Sequence, residues 1–149
     1  MKANLSQNEP QTLKKWTQEN LYQQLLDSKE NSTESFLFHD GPPYANGDIH
    51  IGHLLNKVLK DIVVRSQHKM GKKCSFTPGW DCHGLPIEHR VMTNLSEEKR
   101  QKLDGLDEDT RRIAIRRDCK SYAEKFIKLQ SGQMQRLLTV GDYKAPYLT

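Results

Sequence analysis

A dense cluster of residues that interrupt helices and strands, between positions 41 and 47, constrains the fold of this 149-residue chain more than any other feature. It follows Ser35 to His39, a short apolar and aromatic run typical of a buried strand. The interrupting residues are Gly41, Pro42, Pro43, Asn46 and Gly47. From His50 to about Met70 apolar residues recur at helical spacing. The pattern therefore predicts a strand, a glycine-rich loop and a helix in succession.

A second strand and helix are predicted further along the chain. Residues 72 to 78 alternate enough for a strand, and Pro86 suits the start of a helix. A repeated strand-helix order implies a parallel sheet and an α/β fold. Asp107 is a plausible N-cap for a long final helix. One face of that helix carries Ile115, Cys119, Tyr122, Phe126, Gln130, Gln133 and Leu137.

The remaining segments divide the chain into two parts. Residues 1 to 10 are polar and are expected to be loosely held, and a helix is predicted over Leu13 to Leu26 with Pro10 acceptable in a first turn. We therefore treat residues 1–34 as an N-terminal extension and helix, and residues 35–149 as the main unit.

Ser96 to Asp109 is predicted to be a solvated excursion. Gly141 to Thr149 is expected to be turn-like.

Composition limits the class of protein only weakly. The net charge of +4 mildly favours an anionic partner, and the 35% apolar share suggests a partial core. Three cysteines without paired spacing, and no apolar run near the ~20 residues of a membrane span, favour a reducing cytoplasm and no membrane partner.

The loop and helix start form a plausible anion site. A helix N-terminus exposes unpaired N–H groups and the positive end of the helix dipole, and Gly47 and Gly52 leave room for a ligand. His50 and His53, three residues apart, would both donate hydrogen bonds to a bound phosphate. Two ordinary surface histidines, or a metal-binding pair, would give the same spacing. The sequence contains neither a G-x-G-x-x-G motif nor a Walker lysine, so these known phosphate-binding motifs do not distinguish between the three interpretations.

The sequence around these histidines, and several segments elsewhere in the chain, resemble a known family. His50-Ile51-Gly52-His53 is similar to the HIGH signature of class I aminoacyl-tRNA synthetases, preceded by Gly41 to Gly47. Pro78 to Glu88 resembles the isoleucine-specific version of the segment after the second strand, where valine, leucine and methionine enzymes usually differ. Further similarity covers His39-Asp40, Leu55 to Arg65, Gly141-Asp142 and Pro146 to Thr149.

The resemblance implies the N-terminal half of a Rossmann-like catalytic domain, incomplete and ending near the inserted editing domain. Such enzymes join L-isoleucine to ATP, with Mg²⁺, and transfer the acyl group to the isoleucine-accepting tRNA. By resemblance, His50 and His53 are catalytic and bind ATP together with Gly47 and Gly52. Asp81 would pair with the isoleucine ammonium, assisted by the Pro42 carbonyl; a turn aspartate is the plainer alternative for Asp81.

The resemblance also implies limits. The remainder of the synthetase chain would supply the second phosphate loop, so this piece is expected to be inactive alone. The run Lys69 to Lys73 is weakly similar in sequence to that loop. Basic residues are common in the last turn of a helix, which accounts for the lysines here. Cys74, Cys82 and His83 lack a fourth ligand and paired spacing, so no zinc site is expected. Leu138, Tyr143 and Gly132 depart from the family pattern or weaken the helix.

Two other functions remain open at this point. The chain could be a non-catalytic nucleotide- or RNA-binding module that kept the first half of the fold. It could also belong to a synthetase for another branched aliphatic amino acid, because one methylene in an apolar pocket discriminates only modestly.

Overall fold

The computed structural model describes residues 3 to 149, which form six helices and two short strands. The helices are α1 Leu5–Gln18, α2 Leu21–Asp27, α3 Ile51–Lys69, α4 Leu85–Thr93, α5 Glu97–Asp104 and α6 Glu108–Arg136. The strands are β1 Gly79–Trp80 and β2 Tyr147–Leu148. The chain is therefore mostly helical around a small sheet.

Three extended segments lie side by side and run parallel. β1 pairs with β2, with Gly79 opposite Tyr147 and Trp80 opposite Leu148. Single parallel bridges join Ser35 to Lys73 and Tyr44 to Asp81. The segment 73–81 thus lies between residues 35–45 and residues 141–149, because alternate residues of an extended strand bond to opposite sides. The predicted parallel pairing is present, but the expected Rossmann-like half sheet is only partly formed.

The predicted strand positions need correction. Only Ser35 of the first predicted strand makes a bridge, and the regular part of the second lies at Gly79–Trp80, beyond the predicted 72–78. The turn-like expectation for residues 141–149 fits residues 141–145, which contain bends, and is wrong for Tyr147–Leu148, which form β2. Proline explains part of this result: Pro78 has no N–H to donate, so the hydrogen-bond ladder is interrupted at the end of the second predicted strand.

The N-terminal region is more regular than expected. α1 begins at Leu5, so residues 5–10 are helical and Pro10 lies inside the helix, past its first turn. The predicted single helix is divided, because Asn20 takes a left-handed conformation with φ of 50° before α2. The expectation for residues 1 and 2 lies outside the described residues.

The charged segment around residue 100 is also mostly helical. Ser96 caps α5 by accepting a hydrogen bond from the Lys99 N–H at 3.3 Å, and Leu103 is buried. The charged side chains are exposed, as expected for a solvated excursion, and much of its backbone is helical. The predicted N-cap of α6 is confirmed, since Asp107 accepts from the Thr110 N–H at 3.0 Å.

The buried apolar residues form two clusters. The larger one joins the sheet to α4 and α6, and consists of Ala45, Trp80, Ile87, Val91, Ala123 and Met134. The smaller one contains Val64 of α3, Cys74 and Phe76, with Phe36 and Phe38 packed against it. Trp80 is fully buried. No helix among residues 3–149 is long and apolar enough to cross a membrane.

The departures at the end of α6 have clear structural counterparts. Leu138 has a φ of 59°, in the left-handed region that favours glycine over a residue with a side chain. Burial raises the pKa of the Tyr143 hydroxyl to about 12, and this hydroxyl lies 2.6 Å from Thr139 Oγ1. Gly132 has no atom within 4 Å of where a Cβ would lie.

We predict that Gly132→Ala stabilises the chain by about 0.5–1 kcal/mol, because it removes backbone freedom from an exposed helical position without a clash. Gly71→Ala is the matched control. Its Cβ would also meet open space, but Gly71 has a φ of +92°, so alanine should destabilise there. Urea denaturation measures both, and a destabilising Gly132→Ala would contradict the prediction.

Candidate functional site

The loop of residues 41–47, which includes the end of the first extended segment, lies directly against the segment that contains Asp81. The Asp81 N–H donates to the Pro43 carbonyl at 2.8 Å, and the Ala45 N–H donates to the Asp81 carbonyl at 2.9 Å. These two bonds bring the predicted residues Pro42 and Asp81 into the same region. The loop and the Asp81 turn are therefore one structural unit.

A residue of α6 also holds the same loop in place through hydrogen bonds. The Gln130 side chain is fully buried and donates to the Tyr44 carbonyl at 3.2 Å and the Gly47 carbonyl at 2.9 Å. Its oxygen accepts from Trp80 Nε1 at 2.9 Å. Gly47 has a φ of 81°, which a side chain would strain. Sequence reasoning placed Gln130 on the inner face of α6 but missed this anchoring role.

The two predicted catalytic histidines cap the N-terminus of α3 together. The His50 N–H donates to His53 Nδ1 at 3.2 Å, and the Gly52 N–H donates to His50 Nδ1 at 3.1 Å. The ring centroids are 4.1 Å apart. The arrangement is a capping box made from imidazoles, which satisfies helix N–H groups that would otherwise be unpaired.

This geometry determines where each imidazole carries its proton. A nitrogen that accepts an N–H bond is unprotonated, so the neutral rings of His50 and His53 carry their proton on Nε2. Burial lowers the pKa of His53, and the nearby His50 and Lys57 charges lower it further. Both rings can therefore offer an Nε2–H donor to a ligand while Nδ1 holds the helix end.

Gly52 is required by the His50 ring itself. A Cβ at this position would lie 2.9 Å from His50 Cε1 and 3.1 Å from His50 Nδ1. Such contacts would displace the ring and its hydrogen bond to the helix. The role expected for Gly52 was room for the nucleotide, and this close contact gives a second reason for glycine.

A buried ionic cluster beside the loop was not predicted from the sequence. The Asp40 carboxylate accepts from the ammonium groups of Lys57 and Lys60, and from the Gly79 N–H at 3.0 Å. The side chains of Asp40, Lys57 and Lys60 are only 3%, 2% and 13% exposed. Burial lowers the pKa of Lys57, and the bond to Asp40 opposes that shift. Lysines three apart on α3 were the only signal, and such lysines usually face water.

Asp81 is held as a turn aspartate and still has one oxygen available. Its Oδ1 accepts from Thr149 Oγ1 at 3.0 Å and, more weakly, from the His83 N–H at 3.4 Å. The second bond is the turn contact of the plainer alternative. Oδ2 makes no hydrogen bond to the described residues, so a cation can bind it.

Metal-binding groups are not assembled in the described part of the chain. No three His, Cys, Asp or Glu side chains among residues 3–149 are placed to hold a metal ion. Burial raises the pKa of all three cysteine thiols, Cys74, Cys82 and Cys119. These residues do not form a protein cage for Mg²⁺, which commonly binds through substrate phosphates instead.

The run Lys69 to Lys73 lies at the opposite end of α3 from the histidines. The Gly71 N–H bonds the His68 carbonyl at 3.0 Å, and the Lys72 N–H bonds the Gln67 carbonyl at 3.1 Å. These are helix-ending contacts. A helix of 19 residues is about 28 Å long, so these lysines are remote from the site.

Comparison with known proteins identifies the relatives of this chain. The family model for tRNA synthetases class I (I, L, M and V) matches residues 11–149. Isoleucine–tRNA ligases are similar along the whole chain: that of Zymomonas mobilis is 48% identical, that of Desulfotalea psychrophila 50% and that of Persephonella marina 46%. The chain spans only 15% of the length of each of these relatives.

We predict that the His53 cap makes stability fall in mildly acidic solution. The folded pKa of His53 lies below its ordinary value of 6.5, so its contribution is complete above pH 6.5 and is lost as pH falls through the folded pKa. His53→Gln keeps a cap acceptor at this position but does not titrate.

The unfolding free energy, measured by urea denaturation between pH 5.5 and 7.5, should therefore fall less in His53→Gln than in the parent chain. The buried His68, whose pKa is also lowered by burial, is present in both proteins and contributes equally. Identical pH slopes for the two proteins would contradict the prediction.

Proposed function

The chain belongs to the class I tRNA synthetases of the I, L, M and V group, and on this premise we propose that it forms the first half of an isoleucine-activating catalytic domain. The activity is that of an isoleucine–tRNA ligase in its full length. The 46–50% identity to proteins of that name supports isoleucine over the other aliphatic amino acids of the group.

The proposed reaction proceeds in two steps. A carboxylate oxygen of isoleucine attacks the α-phosphorus of ATP, and the bond from that phosphorus to the β-phosphate oxygen breaks, which releases pyrophosphate. The 3′-terminal adenosine of the tRNA then takes the acyl group and releases AMP. No protein nucleophile is needed, because positioning and electrostatic stabilisation supply the catalysis.

The ATP phosphates would bind at the N-terminus of α3. The helix dipole favours negative charge there, and Gly47 leaves the approach to the loop open. His50 and His53 would each donate through Nε2–H, since both Nδ1 atoms are occupied by the cap. Their donors would strengthen as charge develops on the transferring phosphate, which is the requirement for a catalytic contact.

Isoleucine would bind across the Asp81 turn. Asp81 Oδ2 would accept from the ammonium group, and the Pro42 carbonyl would provide a second acceptor. The observation that carries this proposal is the pair of backbone bonds between the loop and Asp81, at 2.8 and 2.9 Å. They couple the anion-binding helix start to the ammonium-binding carboxylate, as a reaction between two substrates requires.

The proposed partners are the isoleucine-accepting tRNA and the rest of the synthetase chain, and the proposed location is the cytoplasm. Three free cysteines suit a reducing compartment. Residues 35–149 would be the first half of the catalytic domain, and residues 1–34 an N-terminal extension and helix. The inserted editing domain would follow this half.

We predict that the 149 residues alone do not catalyse isoleucine-dependent exchange of pyrophosphate into ATP. Their sequence supplies one phosphate-contacting histidine pair and no second basic loop near it. The full-length synthetase is the positive control. Substantial exchange by the 149 residues would contradict the prediction, and stable binding of RNA without exchange in either protein would favour a non-catalytic module.

We predict that His53→Ala in the full-length synthetase lowers the rate of adenylate formation by about 10²–10³-fold, as expected for loss of a transition-state donor. Isoleucine binding should stay within about twofold, because the contact is made to ATP and not to the amino acid. Single-turnover kinetics measure both quantities. His53→Gln is the matched control for the helix cap, and an equal loss of isoleucine affinity and rate would argue against the role.

A further inference from the structure

The hydroxyl of Thr149 lies between Asp81 and the residue that follows it. Oγ1 accepts from the Cys82 N–H at 3.0 Å and is 3.0 Å from Asp81 Oδ1. A carboxylate only accepts hydrogen bonds, so the single hydroxyl proton of Thr149 is donated to Asp81. One side chain therefore holds both the carboxylate and the backbone of the turn.

The pairing of β2 with β1 places Thr149 at this point. The Tyr147 N–H donates to the Pro78 carbonyl at 3.0 Å, and the Thr149 N–H donates to the Trp80 carbonyl at 3.2 Å. The fit between the strands is close, because a Cβ on Gly79 would lie 3.1 Å from Tyr147 Cδ1. The position of the hydroxyl is thus set by backbone contacts and not by its own side chain.

The other contact to the Asp81 carboxylate is much weaker. The His83 N–H lies 3.4 Å from the same oxygen, near the limit of a hydrogen bond. Without Thr149, the carboxylate of this half-buried residue would be free to rotate. A hydroxyl donor on Oδ1 holds the group in one orientation and leaves Oδ2 unoccupied.

We propose that Thr149 is a positioning residue for isoleucine, which acts by orienting the Asp81 carboxylate toward the substrate ammonium. The inference rests on the proposed function of Asp81 and extends it to a residue 68 positions later in the chain. Threonine suits the place, because its β-branch limits χ1 and favours an extended backbone.

The test uses the full-length synthetase and isoleucine-dependent pyrophosphate exchange. Thr149→Val keeps the shape and removes the hydroxyl, and should raise the KM for isoleucine about tenfold, the usual effect of losing a hydrogen bond to a charged group. The KM for ATP should change less than about twofold, since ATP binds at α3. Thr149→Ser should restore most of the isoleucine affinity, and Thr149→Ala is the second variant if valine impairs folding.

A double-mutant cycle separates positioning from a structural role. In the Asp81→Asn background, Thr149→Val should add less than about a twofold change in the isoleucine KM, because the proposed effect of Thr149 on isoleucine passes through the Asp81 carboxylate. A further tenfold loss in that background, or an unchanged isoleucine KM for both Thr149→Val and Thr149→Ala beside an impaired Asp81→Asn, would overturn the inference alone. An unimpaired Asp81→Asn would overturn the proposed role of Asp81 and this inference with it.

Discussion

The buried carboxylate of Asp40 is the interaction on which the arrangement of this site depends. It joins three separate parts of the chain: the first extended segment, α3 through Lys57 and Lys60, and β1 through the Gly79 N–H. Moving three charged groups out of water is costly, and only close, well-satisfied contacts offset that cost. Loss of the carboxylate would leave two buried ammonium groups without their anion.

The position of this cluster explains why the site residues meet. Asp40 is followed directly by the loop with Pro42, Lys57 lies one helical turn after His53, and Gly79 is two residues before Asp81. The cluster also carries two cations and one anion, so it has an excess positive charge near the proposed phosphate site. Gln130 adds a second, uncharged anchor from α6 to the loop. Rigid support of this kind is what catalysis by positioning requires.

Local sequence signals predicted the elements whose determinants are local. The start of α3, the proline at the start of α4 and the Asp107 cap of α6 each depend on a few neighbouring residues. β2 was missed because two residues beside a proline form a strand only when a distant partner accepts their hydrogen bonds. The break between α1 and α2 was missed because Asn20 in a left-handed conformation is a single-residue event inside a helical pattern.

The same distinction applies to the site. The histidine spacing and the glycines could be read from the sequence, because the helix start is a local structure. The imidazole capping box could not, because histidine is not among the residues that usually cap helices. The contacts of Asp40 and Thr149 depend on pairings 17 to 68 residues apart, which no local pattern contains.

The order of the three parallel segments has a consequence for synthesis on the ribosome. Residues 35–45 and 73–81 can pair as soon as the second of them has emerged, with α3 between them. The other edge of the central segment must wait for residues 141–149. At ~5–20 residues per second, the 68 residues from Asp81 to Thr149 take roughly 3–14 s to translate. Throughout that interval the Pro78 and Trp80 carbonyls lack their β2 partners, and an unpaired strand edge makes a nascent chain prone to mispairing and aggregation.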